Sequence, residues 1–150
     1  MDVAASPEAI LCFHNKIASG TTQFKTQDSS QTIEFRSRQG FIVNLELLQI
    51  GGGFVDSIAA CEPFHDGFLA SRADLLILRG VTVVGRGEDG DWLDFRYLLK
   101  ATVKGGSILP KLDRDAVVVL KEVARGLSWC EALVLSAIFL EEDFVLFSFL

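Results

Sequence analysis

Residues 71–99, SRADLLILRGVTVVGRGEDGDWLDFRYLL, decide how this chain is built. Before Leu69 the sequence alternates or is irregular; from Ser71 it turns helical. Ser71-Arg72-Ala73-Asp74 has the form of a capping box with Asp in the Glu position, opening the helix LLILRGVTVVGR. Asp91 begins a second helix that places Trp92, Phe95, Leu98 and Leu99 on its buried side. Between Arg86 and Leu99 stand four carboxylates and two arginines. Acids at a helix start are favoured by its dipole, and Arg86 or Arg96 can pair with Asp91 or Asp94. Glu88 and Asp89 read as a solvated turn.

Outward from that stretch, Gly105-Gly106 and Pro110 break the chain and Asp113 caps a third helix. Ala116, Leu120, Val123, Ala124 and Leu127 recur there at helical spacing. Ser128-Trp129-Cys130-Glu131 is another capping box, opening one last apolar helix. Upstream, Ser6-Pro7-Glu8 is a helix start, with Ile10, Leu11, Phe13, His14 and Ile17 on an apolar stripe that ends at Gly20. QTIEFRSR (31–38) alternates, Gln39-Gly40 turns, and FIVNLELLQI (41–50) alternates again, so a hairpin is expected. Its second strand sets Phe41, Val43, Leu45 and Leu47 on one face. Ile42, Asn44, Glu46 and Leu48 share the other, which leaves Glu46 among apolar neighbours. Gly51-Gly52-Gly53 closes the strand, and the chain is irregular from Phe54 to Leu69. Strands followed by helices make the fold class α+β: a small antiparallel or mixed sheet, then a C-terminal helical bundle.

The totals bound the function. A chain of 150 residues, 49% hydrophobic and 23% charged, suits a globular domain with a real core. The net charge of −6 and the lack of any basic run exclude broad contact with a nucleic-acid backbone. Cys12, Cys61 and Cys130 are odd in number and far apart, so they form neither a disulfide framework nor a zinc spacing. They read as reduced, buried small hydrophobes of an intracellular protein, and the expected location is cytoplasmic. The start MDVAASPEAI lacks the basic and apolar regions of a signal peptide. The apolar end ALVLSAIFLEEDFVLFSFL (132–150) is interrupted by Glu141, Glu142 and Asp143. Each acid would cost about 2.5 kcal/mol or more within a membrane span, so no transmembrane helix is expected.

Familiar catalytic patterns fail on spacing. QIGGGFVDS has no Lys for a phosphate loop and no helix directly after it for a dinucleotide fold. Counted from Asp89, the Gly and Glu positions of a calcium loop are held by Asp94 and Lys100. His14 and His65 have no second His or carboxylate at helical spacing. Cys61 with His65 reads as a turn or surface pair, and no nucleophile elbow is present.

Read as one unit, residues 70–99 resemble the C-terminal helical signature of minimal nucleotidyltransferase-fold proteins. These include the bacterial toxin nucleotidyltransferases of type IV toxin–antitoxin systems and uncharacterised fungal relatives. Their pattern is a Leu-Leu-x-x-Lys helix, an Arg, then Asp-x-x-Asp. Here Arg79 stands at the Lys position, Arg86 follows seven residues later, and Asp91 and Asp94 begin twelve residues after Arg79. In that family the Lys approaches nucleotide phosphates and the first Asp borders the active site. TIEFRSRQGFIVNLELLQIGGG (32–53) looks like the hairpin carrying the fold's third acidic residue, which puts Glu46 at that position.

The departures are as informative. The family's metal motif, a Gly-Gly or Gly-Ser turn followed by Asp-x-Asp or Asp-x-Glu, precedes the hairpin and holds two metal ions. Here only about thirty residues precede the hairpin, and none form that motif. Gly52-Gly53 followed by Asp66 mimics its spacing after the hairpin, but Phe68 replaces the second acid. Arg79 in place of Lys exchanges a compact ammonium for a planar fork. The resemblance therefore implies a degenerate or truncated relative, without its N-terminal catalytic motif region, that is non-catalytic and retains weak nucleotide binding. It assigns Glu46 and Asp91 as the remnant catalytic carboxylates and Arg79, Arg86 and Asp94 as nucleotide-binding. No resident metal ligand is assigned; magnesium or manganese would accompany a bound nucleotide. Residues 1–127 form the nucleotidyltransferase-like domain and 128–150 an apolar helical extension. The rival readings are an active metal-dependent nucleotidyltransferase, and a structural protein that binds a second copy or another partner through residues 128–150.

Overall fold

A computed structural model describes residues 2–20, 23–26, 32–52, 55, 57–64 and 67–149. Among these the chain is α+β, with six helices, a four-stranded mixed sheet and a two-stranded hairpin. It divides into two compact units, Met1–Ser57 and Ile58–Leu150.

The first unit holds β1 (Asp2–Ala5), α1 (Pro7–Ala18), β2 (Phe24–Thr26), β3 (Thr32–Arg36) and β4 (Ile42–Gln49). The expected hairpin is β3–β4, with Ile33 opposite Leu45 and Phe35 opposite Val43. Gly40 makes its turn possible at φ 89°, a conformation open to residues without a Cβ. Strand β1 adds in parallel to β4 and β2 adds antiparallel to β3, giving the order β1-β4-β3-β2. Both are too short to show a period of two in the sequence. Ile33 and Leu45 are buried, and Phe13 of α1 meets Phe24, which meets Phe35, each at 5.0 Å between ring centres.

Helix α1 begins and ends as its sequence requires. The Ser6 hydroxyl accepts from the Ala9 N–H, Pro7 occupies the first turn, and Gly20 closes the helix at φ 73°. Its apolar stripe is narrower than expected. Ile10, Phe13 and Ile17 are half-buried, whereas Leu11 is 63% exposed and His14 faces outward.

The second unit begins with β5 (Cys61–Phe64) and β6 (Gly67–Ala70), an antiparallel hairpin where irregular chain is expected. Pro63 within a four-residue strand hides it from a pattern search. Five helices follow: α2 (Arg72–Gly85), α3 (Asp89–Lys104), α4 (Arg114–Gly126), α5 (Trp129–Ser136) and α6 (Glu141–Phe149). Ser71 caps α2 and Asp113 caps α4, while Ser128 and Glu131 close a complete capping box on α5. Helix α3 starts at Asp89, two residues before Asp91. The expected single last helix is broken at residues 137–140. There the Ile138 carbonyl accepts from the Leu109 N–H at 2.7 Å, and Asp143 accepts from the Leu112 N–H at 3.0 Å. The break lets Ile138 and Phe139 turn inward, and it places three acids at the positive start of α6.

One core serves the whole helical unit. Ala73, Leu76 and Val83 of α2 meet Phe95 and Leu99 of α3 and Val117, Leu120 and Val123 of α4. Leu135, Ile138 and Phe139 join the same cluster. No described helix is long and apolar enough to cross a membrane.

Two contacts generate tests of this packing. A methyl on Gly126 would meet Cη2 of Trp92 at 2.3 Å and Cζ2 at 2.7 Å. The ring cannot simply swing away, because the Arg96 guanidinium lies 5.4 Å from its centre and is itself tied to Glu131 at 3.2 Å. Gly126→Ala is expected to cost about 1–3 kcal/mol in urea denaturation, and Trp92→Leu in the same chain should recover most of that loss. Thr102 is wholly buried in α3, and its hydroxyl has no hydrogen-bond partner among the described residues. Thr102→Val should therefore raise stability by about 1 kcal/mol, read as an increased denaturation midpoint.

Candidate functional site

Helices α2 and α3 are joined by a tight turn in which Gly87 adopts φ 66°. Arg86 is the C-terminal cap of α2, and Arg79 lies seven residues, about two turns, earlier on the same face. Asp91 sits in the first turn of α3, with Asp94 one turn further along. Reversal of the chain at Gly87 sets the two arginines against the two aspartates. Positions far apart in the sequence thereby become one cluster.

Asp91 is its centre. One carboxylate oxygen, Oδ1, accepts from Arg86 Nη2 at 2.9 Å and from Arg79 Nη1 at 3.3 Å. Arg79 also reaches Asp94, Nη2 to Oδ2, at 3.3 Å. Asp91 is 4% exposed, whereas the Arg86 and Asp94 side chains are 59% and 60% exposed. The second oxygen of Asp91, Oδ2, is buried without a hydrogen-bond partner among the described residues. Burial pushes the Asp91 carboxyl up. The Arg86 hydrogen bond and the charges of Arg86 and Arg79, with a smaller part from the Glu88 backbone, outweigh it and hold the group below its ordinary value.

Four of the five assigned residues therefore meet: Arg79, Arg86, Asp91 and Asp94. Glu46 belongs to the other unit. It lies on β4 between Asp2 and Thr32 in register, and its face is exposed: Ile42 beside it is 56% exposed and Asn44 is also outward. Leu48 on the same face is half-buried, so alternation does set Glu46 beside apolar residues, but Glu46 itself is exposed. Arg96 pairs with Glu131 rather than with Asp91 or Asp94. Cys12, Cys61 and Cys130 are all exposed, not buried, because each falls on an outward position of its element. Gly53, His65 and Asp66 lie outside the described residues, and so do the Cys61–His65 pair and the Gly-Gly to Asp66 spacing.

The sequence pattern gives no warning of Asp74. Read as half of a capping box, it instead accepts from the Ala59 N–H at 2.7 Å, the Ala60 N–H at 3.1 Å and the Ser71 hydroxyl at 2.5 Å. The Ser71 N–H donates to the Ala60 carbonyl, so the reciprocal bond of the box is absent. The shorter Asp side chain turns to the backbone of Ala59 and Ala60, just ahead of β5, and ties that segment to α2. The one available signal is that Asp is a methylene shorter than the Glu such a box prefers.

Chemically, the cluster presents two guanidiniums at a partly open surface, each able to grip an oxyanion through its fork of N–H donors. Its charges cancel, two against two. It does not fit a metal centre: the buried carboxylate is shared between two cations, which repel a third. Among the described residues no three His, Cys, Asp or Glu side chains gather as metal ligands.

The lowered Asp91 pKa fixes a pH dependence. Its folded value lies below its unfolded one, so its stabilisation is complete above the ordinary aspartate range and is lost as pH falls towards the folded value. Asp91→Asn should be less stable than the parent chain at neutral pH, and the gap should narrow by about pH 3. Urea midpoints of both chains at the two pH values measure it.

No family model, no curated protein and no solved structure matches this chain.

Proposed function

We propose that this chain is a nucleotidyltransferase-like protein, non-catalytic by itself, that binds nucleotides weakly through their phosphates. Arg79 and Arg86 are the phosphate-facing groups, with Asp94 at the edge of the site. The observation that supports this reading is the convergence of both guanidiniums on Asp91, from positions matching the spacing that suggested the family. The same contact accounts for weakness. A phosphate must compete with a carboxylate already held by both arginines, and the negative charge of the chain opposes an anionic ligand. The engagement of Asp91 by two cations favours binding over metal-dependent transfer.

Isothermal titration with ATP, CTP, GTP and UTP, each with magnesium or manganese and each with a chelator, tests the proposal. The expected result is binding with a Kd on the order of 1 mM, and weakening with added salt. Arg79→Ala and Arg86→Ala should each weaken it by about tenfold. Asp91→Asn, which removes the competing charge, should tighten it. No heat and no thermal shift with any of the four nucleotides would sink the reading.

A further inference from the structure

The face of α3 that leads away from the Asp91 cluster ends in an exposed aromatic ring. Gly90, Leu93, Asp94 and Tyr97 stand at i, i+3, i+4 and i+7, so they share one stripe of the helix. All four are exposed, Leu93 by 67% and Tyr97 by 72%. Asp94 belongs to the cluster through its ion pair with Arg79. Tyr97 lies one turn, about 4.5 Å, further along the axis. Neither the ring nor the hydroxyl of Tyr97 has a partner among the described residues. A Cβ on Gly90 would meet nothing within 4 Å, so the start of the stripe is open. Trp92, next to Asp91 in sequence, differs: it is half-buried, with the Arg96 guanidinium 5.4 Å from its ring centre.

Along that line the chemistry changes in a fixed order. Arg79 and Arg86 come first, with guanidinium forks suited to phosphate oxygens; the Arg86 side chain is 59% exposed. Asp94 follows, 60% exposed and engaging Arg79 through Oδ2. A carboxylate accepts from more than one donor, and the hydroxyls of a sugar are such donors. Tyr97 comes last with Leu93 beside it, an apolar surface on which a planar ring can stack. Cation, acceptor and ring therefore follow one another at intervals of about a helical turn. Phosphate, ribose and base are linked in the same order in a nucleotide.

We infer that Tyr97, flanked by Leu93, is the stacking platform for the base of a bound nucleotide, with Asp94 facing the ribose. The inference rests on the phosphate-binding reading above and adds the part of the ligand that Arg79 and Arg86 do not touch. Stacking uses the face of a base and not its hydrogen-bonding edges, so the platform accepts all four bases and favours the larger purines. A phosphate that carries no ring is held by the guanidiniums alone.

Proton NMR titrations of the full chain with AMP and with ribose 5-phosphate test it. The two ligands share a phosphate and a ribose and differ by the base. Tyr97 is the sole tyrosine of the chain, so its ring signals form one separate set. AMP should bind about tenfold more tightly than ribose 5-phosphate. It should also move the Tyr97 ring signals upfield, whereas ribose 5-phosphate should leave them in place. Tyr97→Ala, a change at an exposed position, should remove the difference in affinity between the two ligands, and Tyr97→Phe should keep it. Arg79→Ala should weaken both in the same proportion. Equal affinity for the two ligands in the parent chain, or a preference for AMP that survives Tyr97→Ala, overturns the inference and leaves phosphate binding standing. If neither ligand binds, the phosphate reading fails and the inference with it.

Discussion

Helices α2 and α4 come close enough for Leu120 to lie against the backbone of Gly80, and the helical unit is organised around that contact. A Cβ on Gly80 would stand 3.1 Å from Leu120 Cδ2 and 3.6 Å from Phe95 Cε2. The missing side chain lets three helices share one layer, with Leu76, Phe95, Leu99 and Leu120 almost wholly removed from water. Each such side chain contributes about 1.5–3 kcal/mol by burial. Because that layer holds α2 and α3 in register, Arg79 and Arg86 arrive opposite Asp91 without any further device. Asp74 secures the other end of α2 by holding the backbone of Ala59 and Ala60.

The Asp91 cluster is first of all a structural device. A carboxylate removed from water needs charged partners, and two guanidiniums provide them. Those guanidiniums are then partly satisfied and bind an external anion less avidly than unpaired ones. The orphaned Oδ2 marks the cost of that arrangement: one oxygen takes both guanidiniums, and the other is buried with no donor among the described residues. Drawing Arg79 or Arg86 outward would leave Asp91 with less support.

How much of this was legible in the sequence depends on the range of the interaction concerned. The caps at Ser6, Ser71, Asp113 and Ser128 are local, and each stands at the start of the helix expected from it. The β3–β4 hairpin was readable because alternation runs the length of both strands. By contrast, β1 finds its partner in β4, some forty residues away, and four residues carry no period to announce it. The β5–β6 hairpin was hidden by Pro63. The break between α5 and α6 lies in an apolar run whose composition suits a continuous helix. Only the hydrogen bonds to Leu109 and Leu112, from another part of the chain, make the interruption favourable.

The sequence by itself determined the class of the fold, the helix starts and the main hairpin. Those properties follow from interactions within a turn or two of the chain, where spacing alone places the groups. Tertiary structure decided exposure and pairing: Glu46 and the cysteines lie outward, Arg96 joins Glu131, Asp74 holds the segment before β5, and Asp91 is buried between two guanidiniums. Burial depends on what distant segments pack above a residue, and an ion pair depends on the angle between two helices. Neither quantity is contained in the spacing along one of them.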